Sequence, residues 1–371
     1  MSVPGARRSL PRRDLILLPL IAAVTALVFL VGAEGAARMV WPEQKVDQCV
    51  KEDGPMRPRS NCSSRDKAAE GPWVEMKFNA CGYRGTGPCL PPPRGASRLA
   101  VLGSSTSWGY LIPFEDVWSV RTAKAMSAQC GGPIDVQSLG GFNNIDQAAA
   151  RLPEALALKP QMVAWVVAPF DLLKMPEGGF DPVRALQPPP PSPPYHPGLM
   201  DRAKSLMTES RAATIAQHYI YGNAQAYAAT YLHYGDRADF LRAPLSKDWQ
   251  ARLAVVDAAV AYLTDGLKPS GAKLLLVYAP QQAQADLIAA GTAPKGVDPE
   301  ILDRALADIA ARHGALFVDG GRAFKGVKNA PDYFYRADGH LNGAGQGLLA
   351  QAAVQTLLAT PQNGLCAGAA R

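Results

Sequence analysis

The run Leu99-Ala-Val-Leu-Gly103-Ser-Ser-Thr-Ser-Trp-Gly109 decides how the rest of the chain is read. A short apolar stretch, Leu99 to Leu102, stops at Gly103 and gives way to small hydroxyl residues. An apolar run this short, ended by glycine, reads as a buried parallel strand. A serine just past such a strand stands at the carboxyl edge of an open α/β sheet, where ligands bind. Ser105 is therefore a candidate nucleophile. The competing reading is a serine-rich turn that caps the next helix, expected over Asp116 to Gln129.

Far down the chain runs Tyr335-Arg-Ala-Asp338-Gly-His340-Leu-Asn342-Gly-Ala-Gly345. Asp338 and His340 are two apart, and in an extended segment such residues point to one side. A carboxylate beside an imidazole fixes its tautomer and steadies the imidazolium, as the general base of a serine nucleophile requires. Asn342 reads as the N-cap of the last helix. Without a serine candidate, the same stretch would read as an ordinary polar loop.

Together the two stretches resemble the SGNH (GDSL-type) hydrolase superfamily, over about residues 97 to 360. Gly103-Ser104-Ser105 with Gly109 matches the first block of that family, and Asp338 with His340 matches the last. Ser138-Leu-Gly140-Gly141-Phe-Asn143-Asn144 matches a middle block. The α/β-hydrolase elbow is a different pattern, since Gly-x-Ser-x-Gly would need glycine where Ser107 stands. The resemblance implies a Ser105–His340–Asp338 acyl-transfer site. It implies oxyanion donors at the backbone N–H of Ser105 and of Gly140 or Gly141. The family's third block, Gly-x-Asn-Asp, supplies a side-chain amide; here Ala168-Pro169-Phe170-Asp171 keeps Asp171 as a substrate-site candidate but places Phe170 where that Asn would be. Asn143 or Asn144 could supply the amide instead, or both could serve the turn. Ser104 replaces the family's Asp, which is not the triad carboxylate.

The chain has 371 residues, 48% hydrophobic and 19% charged, which fits one large globular core. The net charge is +6, and Arg7, Arg8, Arg12 and Arg13 supply much of the excess. No basic stripe interleaved with aromatics follows, so nucleic acid is not an expected partner. Residues 1–14 read as a basic cytoplasmic tail and 15–38 as a transmembrane anchor, N-terminus inside. The rival is a cleaved signal peptide ending near Val31-Gly32-Ala33. Either places the body outside the cytoplasm, and the anchor reading gives a single-pass inner-membrane protein with a periplasmic catalytic domain. Six cysteines agree with an oxidising compartment. The expected pairing joins Cys49, Cys62, Cys81 and Cys89 among themselves and Cys130 with Cys366. A zinc site is the alternative, but no Cys-x-x-Cys is present. No metal or other cofactor is expected.

Residues 42–97 read as a stalk-like, Cys-containing lead-in. Within it, Asn79-Ala-Cys-Gly82-Tyr-Arg84 is similar to a segment of many exported SGNH proteins, with Gly82 in a turn of special φ. Arg84 is either structural or a substrate-site residue at the rim. Strands are expected at Arg98–Leu102, Ile134–Ser138, Met162–Val167, Lys273–Tyr278 and Leu316–Val318. Helices are expected at Asp116–Gln129, Ile145–Leu158, Ser246–Leu267, Pro299–His313 and Asn342–Leu358. This alternation predicts an α/β fold: a three-layer α/β/α sandwich with a five-stranded parallel flavodoxin-like sheet, plus one N-terminal transmembrane helix. The hydrolase-like domain spans 98–360, with a C-terminal tail at 361–371. An insertion at 172–245 carries the proline run Pro188–Pro194 and the tyrosines Tyr219, Tyr221, Tyr227, Tyr231 and Tyr234. They form either a sugar platform or a packing face. His196, His218, His233 and His313 have no aspartate close in sequence comparable to Asp338.

Three functions remain in play. One is a membrane-tethered serine esterase acting on an acylated carbohydrate or small ester. Another is an O-acetyltransferase of a cell-envelope polysaccharide with the same triad. The third is a catalytically degenerate binding or scaffold protein, for which Phe170 in place of Asn speaks.

Overall fold

Four apolar runs and one mixed run build the centre of the fold. In the computed structural model they form β4 (Ser97–Leu102), β5 (Ile134–Ser138), β6 (Met162–Val167), β7 (Lys273–Tyr278) and β8 (Leu316–Asp319), all parallel in the order β5-β4-β6-β7-β8. The structure describes residues 11, 13–41, 45–50, 57–68, 70–141, 144–176, 178–187, 198, 201 and 209–368. Arg7, Arg8, Arg12, Asn143, the Pro188–Pro194 run and His196 lie outside them.

Strand alternation sorts side chains between two cores. Leu99, Val101, Met162, Ala164, Val166, Leu275 and Val277 face one helical layer, α3 (Trp118–Cys130) and α13 (Gly343–Leu358). Ala100, Leu102, Val163, Trp165, Val167, Leu274 and Leu276 face the other. That second layer holds α4 (Ile145–Ala150), α5 (Leu152–Ala157), α10 (Lys247–Leu267) and α12 (Ile301–Arg312). Each buried Val, Leu or Met among them contributes about 1.5–3 kcal/mol. The expected helix over Ile145–Leu158 is broken at Arg151, with Pro153 in the first turn of the second piece. Ser246 and Asn342 cap α10 and α13 through their side chains, as the sequence suggests for Asn342.

The sheet gains one strand that the sequence pattern did not show. β3 (Arg84–Gly85) adds antiparallel to β5, pairing Arg84 with Ser138 and Gly85 with Gln137. It belongs to the lead-in, which is not a stalk. There β1 (Ser63–Asp66) and β2 (Val74–Lys77) form an antiparallel hairpin. Val50, Val74, Met76 and Phe78 bury against Trp108 of the hydrolase-like body. The disulfides are Cys49–Cys62, Cys81–Cys89 and Cys130–Cys366, so no cysteine is free to bind zinc. The segment after Thr360 is also no free tail, since Leu365 is fully buried.

The chain divides into two compact units. Residues 1–43 and 196–216 form one, residues 44–195 and 217–371 the other, and the boundary falls within α8 (Arg211–Ile220). In the first unit, α1 (Asp14–Val40) is long and apolar enough to cross a membrane. Its Glu34 accepts hydrogen bonds from Ser210 Oγ and the N–H groups of Arg211 and Ala212. In the second unit, Tyr227 and Tyr231, on α9 (Ala224–Tyr231), are buried in the core and meet Tyr221 with tilted rings and Phe240 edge-on, respectively. The packing reading therefore holds for these tyrosines, while Tyr219 and Tyr234 remain exposed.

Helix α11 (Gln282–Ala290) was not anticipated. It carries Asp286, which is buried and whose oxygens find no hydrogen-bond partner among the described residues. Burial pushes its pKa up to about 8, and nearby Gln282 offsets this only in part. The folded chain thus keeps a proton that the unfolded chain releases near pH 4, so wild-type stability falls as pH rises between these values. Asp286→Leu should raise stability by about 2 kcal/mol at pH 7. In denaturation at several pH values, the gain should vanish below pH 4; a gain independent of pH would contradict this account.

Candidate active site

Ser105 opens a single-turn helix, α2 (Ser105–Trp108), directly after β4. The hydroxyl-rich stretch is therefore a helix start in its own right, and the helix expected from Asp116 begins at Trp118. Ser107 Oγ donates to Ser104 O at 2.6 Å and steadies the turn. Ser105 Oγ lies 2.6 Å from His340 Nε2, and His340 Nδ1 lies 2.5 Å from Asp338 Oδ1. Residues 235 positions apart in sequence thus form one Ser–His–Asp relay.

Asp338 and His340 meet in a tight loop rather than on an extended strand. An antiparallel bridge joins Phe334 to Leu341, Tyr335 N–H donates to His340 O, and Gly339 N–H donates to Tyr335 O. Gly339 sits at φ +90°, which turns the chain so that both side chains share one side. His340 N–H also donates to Asp338 Oδ1 at 3.2 Å. Burial pulls the His340 pKa down, but the Asp338 charge and hydrogen bond, with Asp171 adding, leave it raised above the ordinary value. Burial works against the Asp338 carboxylate as well, yet His340 holds its pKa below the ordinary value.

The relay opens on a cavity of about 250 Å³ lined by Ser104, Ser105, Phe170, Asp171, Gln281 and His340, among others. Asp171, on α6 (Pro169–Leu172), is buried and accepts from Ser104 Oγ at 2.9 Å. Burial raises its pKa to about 6 despite that bond. Ser104 thus partners the carboxylate of Asp171. Phe170 is 42% exposed, with Lys174 Nζ 4.4 Å from its ring centroid. Gln281 was not anticipated; its position directly after β7, at the same sheet edge as Ser105, is the signal that could have found it.

The other oxyanion candidates are placed differently. Gly140 and Gly141 are buried in the loop after β5 and are not among the cavity-lining residues described. Gly140 N–H points to Ser138 Oγ at 3.4 Å, and a Cβ on Gly140 would fall 2.3 Å from Ser107 Oγ. That glycine therefore serves the close approach of its loop to α2. Asn144 forms a capping box with Gln147 at the start of α4, the turn role that was the alternative to oxyanion donor. Among the described candidates, the Ser105 backbone is the one at the cavity.

Of the two readings of Arg84, its contacts are those of the structural one: it is buried against main-chain carbonyls and is not among the cavity-lining residues described. It is 1% exposed and donates to the carbonyls of Trp108 (2.9 Å), Gly109 (2.9 Å) and Ile112 (3.2 Å). Its guanidinium stands 4.8 Å from the Phe114 ring centroid. Gly82, two residues earlier, has the expected positive φ of +76°. Carboxylate partners absent from the local sequence do reach two histidines in space. His218 Nδ1 lies 2.6 Å from Glu70 Oε1, and His313 Nε2 lies 2.8 Å from Asp257 Oδ1.

Arg84→Lys should lower stability by at least about 2 kcal/mol, because one ammonium cannot reproduce a fork spread over several carbonyls. An unchanged urea midpoint would refute this role. The Asp171 charge helps raise the His340 pKa. Work that needs neutral His340 should therefore set in at a higher pH than an ordinary imidazole allows, and Asp171→Asn should move that onset to lower pH. The pH profile of Ser105 phosphonylation by a fluorophosphonate reads both; an onset that stays fixed or rises in the variant would contradict the assignment.

No known sequence family matches the chain, and no curated protein does. Solved structures do match it in fold. A protein named TesA is 18% identical, with a TM-score of 0.39, and the match covers 71% of this chain and 99% of that one. A lipase/acylhydrolase from Enterococcus faecalis is 13% identical, with a TM-score of 0.37 and coverage of 70% and 95%. A lipase from a goat rumen metagenome is 11% identical, with a TM-score of 0.35 and coverage of 70% and 97%.

Proposed function

We propose that this chain is a serine esterase of the SGNH (GDSL-type) superfamily. The single observation that carries the reading is the relay Ser105 Oγ–His340 Nε2, 2.6 Å, and His340 Nδ1–Asp338, 2.5 Å, at the wall of one cavity. Ser105 Oγ attacks an ester carbonyl while His340 takes its proton. His340 then protonates the leaving alcohol, and water completes the cycle with His340 again as base. Asp338 holds the tautomer that leaves Nε2 free to accept. The Ser105 N–H faces the developing oxyanion.

A cavity of about 250 Å³ favours a short acyl group such as acetyl on a small ester or a carbohydrate. The apolar helix α1 and three disulfides support a single-pass anchor with the catalytic domain in an oxidising compartment, the periplasm. The exposed Phe170 beside the nucleophile favours a second reading, transfer of the acyl group to a sugar hydroxyl, because an aromatic face can seat a sugar ring.

The test is turnover of p-nitrophenyl acetate by the full chain beside Ser105→Ala. Release should fall by about 10³-fold or more in the variant. Equal release would defeat the nucleophile assignment. Oligosaccharide acceptors added to the same assay divide the readings: acylated sugar supports transfer, and free acetate alone supports hydrolysis.

A further inference from the structure

The backbone of the catalytic loop is held by a side chain from the lead-in. Glu70 sits in the turn of the β1–β2 hairpin, and its carboxylate is 2% exposed. Its Oε2 accepts the N–H of Ala337 at 2.8 Å and of Asp338 at 2.9 Å, across 268 residues of sequence in the second case. Its Oε1 lies 2.6 Å from His218 Nδ1, on the α8 segment of the insertion. Neighbouring Gly71 packs at the Tyr335 ring, where a Cβ would stand 3.4 Å away, and Lys67 Nζ donates to Gly71 O at 2.6 Å. Tyr335 OH in turn donates to Leu111 O, behind the nucleophile helix.

Three other N–H groups of this loop find acceptors within it. Tyr335, Gly339 and His340 donate to His340 O, Tyr335 O and Asp338 Oδ1. Those of Ala337 and Asp338 are taken by Glu70. The residue whose carboxylate must face His340 therefore has its own main chain fixed from outside the loop. A carboxylate can accept both N–H groups on one oxygen and still present the other to an imidazole. Charge-assisted bonds of this kind are roughly twice as strong as neutral ones.

We propose that Glu70 is a positioning residue of the Ser105–His340–Asp338 site. It joins the lead-in hairpin, the insertion and the catalytic loop, and turnover depends on that junction being closed. The inference rests on the esterase reading. It adds that the lead-in is part of the working site and that Asp338 is aligned by a second carboxylate, which never touches substrate.

The test compares Glu70→Ala, Glu70→Asp and Glu70→Gln in the full chain. Glu70→Ala removes the acceptor. Glu70→Asp keeps the charge but shortens its reach. Glu70→Gln keeps an oxygen at the same reach, with its amide facing His218. A misplacement of about 1 Å in such a site can cost about 10²-fold, so kcat should fall by that order in the Ala and Asp variants. KM should stay within about twofold, and the Gln variant should keep most of kcat. A second readout is the downfield proton resonance of the His340–Asp338 hydrogen bond, which should weaken or move upfield with Ala and Asp and persist with Gln. Wild-type kcat in Glu70→Asp would overturn the proposal, as would a Gln variant that is folded but falls as far as Asp. If the wild-type chain neither hydrolyses esters nor reacts with a fluorophosphonate, the esterase reading fails. The proton resonance still reports whether Glu70 aligns Asp338, and a resonance unchanged in all three variants would overturn the alignment as well.

Discussion

A buried guanidinium holds the nucleophile's surroundings in place. Arg84 has no carboxylate among its hydrogen-bond partners; its charge is met by the carbonyl oxygens of Trp108, Gly109 and Ile112. Burial lowers its pKa to about 10, with the charges of Glu115 and Asp66 opposing, so it remains a cation at neutral pH. A cation out of water is tolerated only where dipoles converge on it, and the loop after α2 supplies them. The arrangement acts both ways. The loop satisfies the charge, and the charge fixes the loop that leads away from Ser105. Because Arg84 sits on β3, the lead-in must pair with β5 before the nucleophile's turn is fully supported.

Two carboxylates at one cavity take different roles because their surroundings differ. Asp171 is buried beside Ser104, and desolvation lifts its pKa to about 6. Asp338 also pays for burial, but the adjoining imidazole outweighs that and keeps it ionised. The nearer anion orients His340, while the farther one adds to the field that favours the imidazolium. The parallel sheet makes this possible, since the loops after β4, β6, β7 and β8 all leave from the same edge.

What the sequence disclosed follows from how each element is stabilised. The β5, β6 and β7 bounds coincide with those expected; for β6 and β7 the reason is that short apolar runs between polar breaks leave little freedom. The cap Asn342 was legible from residue type. By contrast, β3 is two residues long and carries no periodicity. Helix α11 is buried on nearly every side, so it lacks the polar stripe by which a surface helix is recognised. Ser105, Asp338 and His340 were readable through local motifs. The long-range partners of the site, Arg84 and Glu70, act on main-chain atoms, and no local pattern announces which backbone groups a distant side chain will meet. For Asn144 both readings stood open for a related reason: an asparagine that starts a helix and one that donates into a cavity look alike until the helix start is located.

The bond between Cys130 and Cys366 joins residues 236 positions apart and closes a ring that includes β5 to β8, the insertion, Asp338 and His340. Ser105 lies just outside that ring. A single peptide cut anywhere inside it, the insertion included, leaves both fragments covalently joined, so no one cut within the ring parts Ser105 from His340. A nicked molecule would keep its full mass until reduced.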